Sequence, residues 1–197
     1  MATSAIHSES GFFCKPRASA RVLRSVDEDS VLLARLRQGE RSAFAELNRR
    51  YGSRLLRLAH RLLGYRDEAA QDAVQDVFAR LLSRPVAIAA SGDLEKWLVT
   101  VVVNQCRTHH RRWFARLRLL GRAPAKTQTS APADVETHEF VRHAVRQLPP
   151  RDREVIVLHY LEEMPVEQIG VILKLKRNAV EVRLHRARQR LKEILTA

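Results

Sequence analysis

From Leu148 to Leu195 the apolar residues fall into three sets at steps of three and four: Val155, Ile156, Leu158 and Leu161; Val166, Ile169 and Ile172; and Val180, Leu184, Ala187, Leu191 and Ile194. That spacing places each set on one face of a helix. Pro149 and Pro150 precede the first helix, and Pro165 falls near the start of the second, where proline is tolerated. The break before the third helix is short, around Lys174 to Arg177. Two short helices, a tight turn and a longer basic helix predict a helix-turn-helix. On the third helix Arg183, Arg186 and Arg190 lie off the apolar stripe. They form a cationic face suited to phosphates and guanine edges in a major groove, or simply to solvent.

Upstream, residues 1–26 hold no period of 3.6 or 2 and are expected to be a disordered tail. Leu32, Leu33 and Leu36 predict a short helix ending at Gly39; Ser42 is placed to cap the next, which carries Phe44, Leu47, Tyr51, Leu55, Leu58 and Leu62 and ends at Gly64. Asp67 opens a third helix whose buried side is Ala70, Ala73, Val74, Val77, Phe78 and Leu81. Residues 85–92 read as an unusually apolar loop, and Asp93 caps a fourth helix bearing Leu94, Trp97, Leu98, Val101 and Val102. Trp97 is expected in the core. A linker of small, polar and proline residues, GRAPAKTQTSAPA, follows from Gly121, and Glu136 starts a helical pattern through Phe140, Val141 and Val145. No strand pattern appears. The expected fold is all-α: two small helical modules, a four-helix bundle and a helix-turn-helix module, joined by a flexible linker.

Charge sharpens this picture. Lys and Arg total 35 against 22 Asp and Glu, a formal net charge of +13, which favours a polyanionic partner, either nucleic acid or an anionic membrane surface. No acidic residue occurs from Lys96 to Ala133, and the far end of the fourth helix interleaves arginines and histidines with Trp113 and Phe114. That mixture suits a nucleic-acid backbone with stacking partners; core and interface positions are both open to the two aromatics. Against this basic background Asp72 and Asp76 stand one turn apart with Gln75 beside them. They either dock on a basic protein surface or serve as ordinary helix polarity paired to Arg61 and Arg66.

The sequence argues against several classes. No apolar run is long enough to cross a bilayer, and the N-terminus lacks a signal-peptide core, so no membrane insertion and a cytoplasmic location are expected. Two cysteines, Cys14 and Cys106, imply no disulfide framework. Cys106, His109 and His110 lack a fourth ligand at suitable spacing, so neither metal nor other cofactor is expected. There is no glycine-rich phosphate loop, no cluster of metal-binding carboxylates and no nucleophile–base set, so an enzyme is not expected.

Four stretches in order resemble the extracytoplasmic-function type of RNA polymerase sigma factor. FAELNRRYGSRLLRLAHRLLG is similar to the family's opening helical region, and DEAAQDAVQDVFARLL to its core-polymerase-binding segment. KWLVTVVVNQCRTHHRR is similar to the helix that reads the minus-ten promoter element. LPPRDREVIVLHYLEEMPVEQIGVIL with VRLHRARQRLK is similar to the module that reads the minus-thirty-five element. The resemblance implies a factor that binds core RNA polymerase and directs promoter-specific initiation, helping to melt promoter DNA. It implies that Asp72, Gln75 and Asp76 contact the polymerase, and that Asn104, Arg107, His110 and Arg111 lie against minus-ten DNA. Arg177, Arg183, His185, Arg186 and Arg190 are then the minus-thirty-five set. Residues 86–93 would help form the pocket for a flipped base. An anti-sigma protein is a further partner the family suggests. The implied division is a tail over 1–26, a region-two-like domain over 27–117, a linker over 118–135 and a region-four-like domain over 136–197.

Glu181 departs from the family pattern, which usually has a basic residue there, and a carboxylate at that place repels phosphate. The residues alone also admit a stand-alone regulator that binds duplex DNA tightly without polymerase.

Overall fold

The computed structural model describes residues 26–83, 94–121 and 137–196. Among them the apolar spacing yields helices and no strand. The first module holds α1 (Val26–Arg37), α2 (Arg41–Leu62), α3 (Asp67–Ser83) and α4 (Leu94–Leu119). The second holds α5 (Thr137–Gln147), α6 (Pro150–Ile156), α7 (Val166–Leu173) and α8 (Arg177–Thr196), with one π-helical turn, Val157–Leu161, continuing α6. The expected tail up to residue 25, the loop from 85 and the linker from 122 lie outside the described residues.

In the first module α2, α3 and α4 pack on one another and α1 packs on α2. Leu47, Leu55, Leu58 and Leu62 of α2 meet Ala73, Val77 and Leu81 of α3 and Leu94, Leu98 and Val102 of α4 in one buried cluster. Removing these side chains from water drives the bundle, at roughly 1.5–3 kcal/mol for each large one. In the second module Val180, Leu184, Ala187 and Leu191 of α8 close over Val155, Ile156 and Leu158. Gly170 lets the helix-turn-helix fold tightly: a Cβ there would meet the Leu175 carbonyl oxygen at 2.8 Å. Lys174 takes the left-handed conformation, φ +54°, that ends α7.

Several local expectations shift. Ser42 does not cap α2; Glu40 occupies that place, and its carboxylate accepts from Arg35 Nε at 2.7 Å and from Ser42 Oγ at 2.6 Å. The helix starts at Arg41, so Ser42 already lies inside its first turn. Helix α4 runs to Leu119, past the expected boundary at 117, since no helix breaker occurs before Gly121. Phe140 and Val141 of α5 are exposed, because its packed face is formed by Ala144 and Val145, with Leu148 just beyond. Trp97 is only partly buried against the core.

The modules are not separate beads: α2 touches both α6 and the π-helical turn. Arg153 of α6 makes the central contact. Its Nε donates to Val145 O at 3.2 Å, Nη1 to Leu62 O at 3.2 Å, and Nη2 to Arg146 O at 2.7 Å and Leu148 O at 2.9 Å. Leu62 is the last residue of α2; Val145 and Arg146 lie in the last turn of α5, and Leu148 follows it directly. One cation therefore neutralises the negative ends of two helices drawn from two modules. Burial, with repulsion from Arg66 second, pulls the Arg153 guanidinium down to about 10, still charged at neutral pH. Gly64 is required beside it: its φ is +70°, and a Cβ would stand 2.6 Å from Arg153 Nη1.

Arg153→Met should leave buried carbonyls without donors and cost roughly 3 kcal/mol, read as a lowered urea midpoint. Unchanged stability would show that water or neighbouring donors replace the guanidinium.

Candidate nucleic-acid interface

Helix α3 places Asp72 and Gln75 on its exposed side, while Asp76 is half-exposed. Asp76 is not a free surface acid. Its Oδ2 accepts from Gln105 Nε2 and lies 3.4 Å from His109 Nε2, both on α4. Gln105 is buried at 1% exposure, so its amide needs this acceptor. The sequence concealed this, because Gln105 interrupts the apolar face of α4 and looks like an ordinary polar residue.

Along α4, Asn104 and Arg111 are exposed and Arg107 is half-buried. Arg111 Nη2 donates to Thr108 Oγ1 at 3.2 Å. Arg107 reaches the second module instead, with Nε donating to Glu154 Oε1 at 3.0 Å and Nη1 to Leu173 O at 3.4 Å. His110 is set apart by burial: it is 8% exposed, and Nε2 lies 3.2 Å from Leu62 O while Nδ1 lies 3.3 Å from Arg66 Nη2. Arg66 can only donate, so Nδ1 accepts and the neutral Nε2–H tautomer satisfies both contacts. Burial, then repulsion from Arg66, Arg153 and His109, outweighs the Leu62 hydrogen bond and lowers His110 to about 4. Phe114 stacks on the His110 ring, and the Arg66 guanidinium lies over Trp113 at 4.6 Å. Cys106 beside them is core: burial lifts its thiol to about 12, so it stays protonated.

On α8 His185, Arg186 and Arg190 are exposed and Arg183 is half-buried. Arg190 is ion-paired to Asp152. Burial lowers Arg183, with Glu154 acting in the opposite direction. Arg177 is held by two acids, Glu167 at 2.6 Å and Glu181 at 2.9 Å. The awkward carboxylate of Glu181 thus has a cation beside it, and among the five predicted residues Arg177 and Arg190 are both held by acids.

Asn104, Arg107 and Arg111 of α4 face Arg183, Arg186 and Arg190 of α8 across a cleft of about 810 Å³. The cleft brings the predicted α4 set together with Arg183, Arg186 and Arg190, and leaves Arg177, His185, Asp72, Gln75 and Asp76 outside its lining. Sequence reasoning missed the cleft's acids. Asp152, Arg153 and Glu154 are all buried, at 6%, 7% and 6% exposure. The signal available was a run of four successive charges, Arg151 to Glu154, at the start of a short helix. Burial raises Glu154 above the usual carboxylate range, against the pull of Arg107.

Comparison with known proteins fits this architecture. Residues 47–114 match the family model of sigma-70 region 2, and residues 140–191 that of sigma-70 region 4. The ECF RNA polymerase sigma factor SigE of Mycolicibacterium smegmatis is 32% identical over 168 residues, covering 80% of this chain; the chain spans 63% of that relative's length. The RNA polymerase sigma-E factor of Streptomyces coelicolor is 32% identical over 164 residues, covering 81% of this chain and 89% of the relative. The structure of CnrH in complex with the cytosolic domain of CnrY superposes with a TM-score of 0.60 at 28% identity, covering 85% of this chain and 97% of CnrH. The chain belongs to the ECF family of RNA polymerase sigma factors. Such a factor is a regulatory subunit that gives RNA polymerase its promoter specificity at initiation. No helix among the described residues is long and apolar enough to cross a membrane.

His110 gives a pH test. Its pKa falls from 6.5 unfolded to about 4 folded, so its contribution to stability is complete above pH 6.5 and is lost as pH falls toward 4. The His110 ring nitrogens should keep the NMR shifts of the neutral Nε2–H tautomer down to about pH 5. Titration with a midpoint near 6.5 would mean the ring is open to solvent.

Proposed function

We propose that the two modules divide promoter recognition between them while the exposed side of α3 attaches the chain to core RNA polymerase. Asp72 and Gln75 present an acceptor and a polar side chain to a basic partner surface, with Asp76 contributing its exposed edge. Asn104, Arg107 and Arg111 read the minus-ten region, and His110 supports that face by fixing α4 to the end of α2. Arg183, His185, Arg186 and Arg190 of α8 engage the minus-thirty-five duplex, with Arg177 at the rim beside Glu167 and Glu181. Melting then needs no bond chemistry from the protein. Contacts to an extruded base and to single-stranded DNA offset the few kcal/mol of unstacking. The division into region-two-like and region-four-like domains and a cytoplasmic location follow from the same reading.

One observation supports this most: the arginines of α4 and α8 lie on opposed walls of one cleft, one wall from each module. A single-headed regulator has no use for a second basic helix of that kind. Relatives suggest a further partner. CnrH is bound to the cytosolic domain of CnrY, and a protein of that kind, an anti-sigma factor, is proposed to hold this chain inactive.

Transcription by core RNA polymerase on a random promoter library tests the reading. The protein should select templates sharing two separated elements. Asp72→Arg leaves the Asp76–Gln105 contact untouched and should weaken core binding by about tenfold or more. Core binding that survives it unchanged would remove α3 from the polymerase interface.

A further inference from the structure

The lining of the cleft carries more positive charge than its own acids balance. Arg107 is paired with Glu154, and Arg190 with Asp152. The other arginines of the lining are Arg111 of α4, Arg151 of α6, and Arg183 and Arg186 of α8, and none has an ion-pair partner among the described residues. Arg111 donates only to the Thr108 hydroxyl. Arg183 is half-buried, yet among the described residues its guanidinium donates no hydrogen bond. That leaves five N–H donors unused in a partly dehydrated place. Burial weighs most against its charge; Arg151 and Arg107 repel it, and the acids that attract it, Glu154 and Asp152, are already bound to other arginines. One acceptor of the lining is also unused: Glu154 Oε2 is buried without a hydrogen-bond partner.

We infer that this cleft is a binding site for a small linear polyphosphate, a chain of linked phosphates either free or carried by a nucleoside. Guanidinium groups fork onto phosphate oxygens through paired hydrogen bonds. A single phosphate carries a charge of only about −1.5 to −2, too little for unpaired arginines drawn from three helices. Linked phosphates supply charge and oxygens along a line, as that spread requires. The cleft volume of about 810 Å³ lies in the range usual for small-molecule sites. Carboxylates repel such a ligand, so its phosphates are assigned to Arg111, Arg151, Arg183 and Arg186, away from the arginines that Glu154 and Asp152 already hold. A nucleoside has further partners in the lining. Phe114, half-buried there, offers an aromatic surface to a base, and Glu154 Oε2 offers an acceptor to an amino or hydroxyl group. The inference goes beyond promoter recognition and does not rest on it.

Titration calorimetry on the full-length protein, in about 0.15 M salt and without divalent cations, tests this with orthophosphate, tripolyphosphate, ATP and GTP. Tripolyphosphate should bind saturably, one per chain, at least about tenfold more tightly than orthophosphate, and should raise the melting temperature. Arg183→Gln combined with Arg186→Gln should weaken that binding at least about tenfold. Arg112→Gln combined with Arg116→Gln removes the same charge from exposed positions of α4 outside the lining, and should change it by less than about twofold. ATP or GTP binding more tightly than tripolyphosphate assigns the site to a nucleotide; equal or weaker binding assigns it to the inorganic chain. Absence of saturable binding, or equal weakening by the two pairs of substitutions, overturns the proposal. If the variant at Arg183 and Arg186 lost its helical circular dichroism, Arg151→Gln, at an exposed position of the lining, carries the same comparison against Arg112→Gln.

Discussion

The carbonyl of Leu62 is the point at which the two modules are joined. It ends α2, and two donors from different parts of the chain converge on it: His110 Nε2 from α4 and Arg153 Nη1 from α6. A carbonyl oxygen has two lone pairs, so both are accommodated. Arg153 is the more consequential donor, because it also closes the end of α5. A buried guanidinium costs several kcal/mol in lost hydration. Four hydrogen bonds from a cation, at roughly 1.5–3 kcal/mol each, exceed that penalty. The favourable ends of two helix dipoles add to the balance. No carboxylate is needed to hold the charge, and none of its hydrogen bonds goes to one.

A chain with this excess of positive charge must keep its cations from repelling one another at close range. The structure does so by placing the few acids where arginines crowd. Glu162 serves Arg54 and Arg61, Glu154 serves Arg107, and Asp152 serves Arg190. Two of these three acids, Asp152 and Glu154, lie in the wall of the cleft between α4 and α8. They neutralise one arginine from each of the two helices that line it, Arg107 of α4 and Arg190 of α8.

The helices themselves were legible in the sequence because periodicity reports burial directly. The stripes of α2 and α8 reappear as buried residues apart from Phe44 and Ile194, which are partly buried, and Gly39 and Gly64 stop helices through positive φ as their positions suggest. The helix-turn-helix was legible for the same reason. What could not be read was anything decided by residues far apart in the chain. Arg61 and Glu162 are 101 positions apart, and no local pattern announces their pairing. Nothing near Arg153 in sequence shows that the end of α2 will be placed over it. Among the predicted site residues, exposed ones such as Asp72, Arg111 and Arg186 kept the surface positions that their charge implied. His110 did not, because a neutral imidazole is small and versatile enough to be a core donor, and composition cannot separate that use from a DNA contact.

The bond between Asp76 and Gln105 shows how the proposed functions are physically joined. The α3–α4 seam is largely aliphatic, and such packing fixes spacing better than rotation. A buried amide with one acceptor is more selective, because rotating or sliding α4 would take Gln105 Nε2 away from the Asp76 carboxylate that it donates to. Asp76 therefore fixes the register of the helix carrying Asn104, Arg107 and Arg111 from the edge of the surface proposed to hold polymerase. A positive group approaching Asp76 from outside would share a carboxylate that already restrains α4. Attachment of the polymerase and the setting of the minus-ten helix would then act on the same side chain, with no wider rearrangement of the bundle needed to connect them.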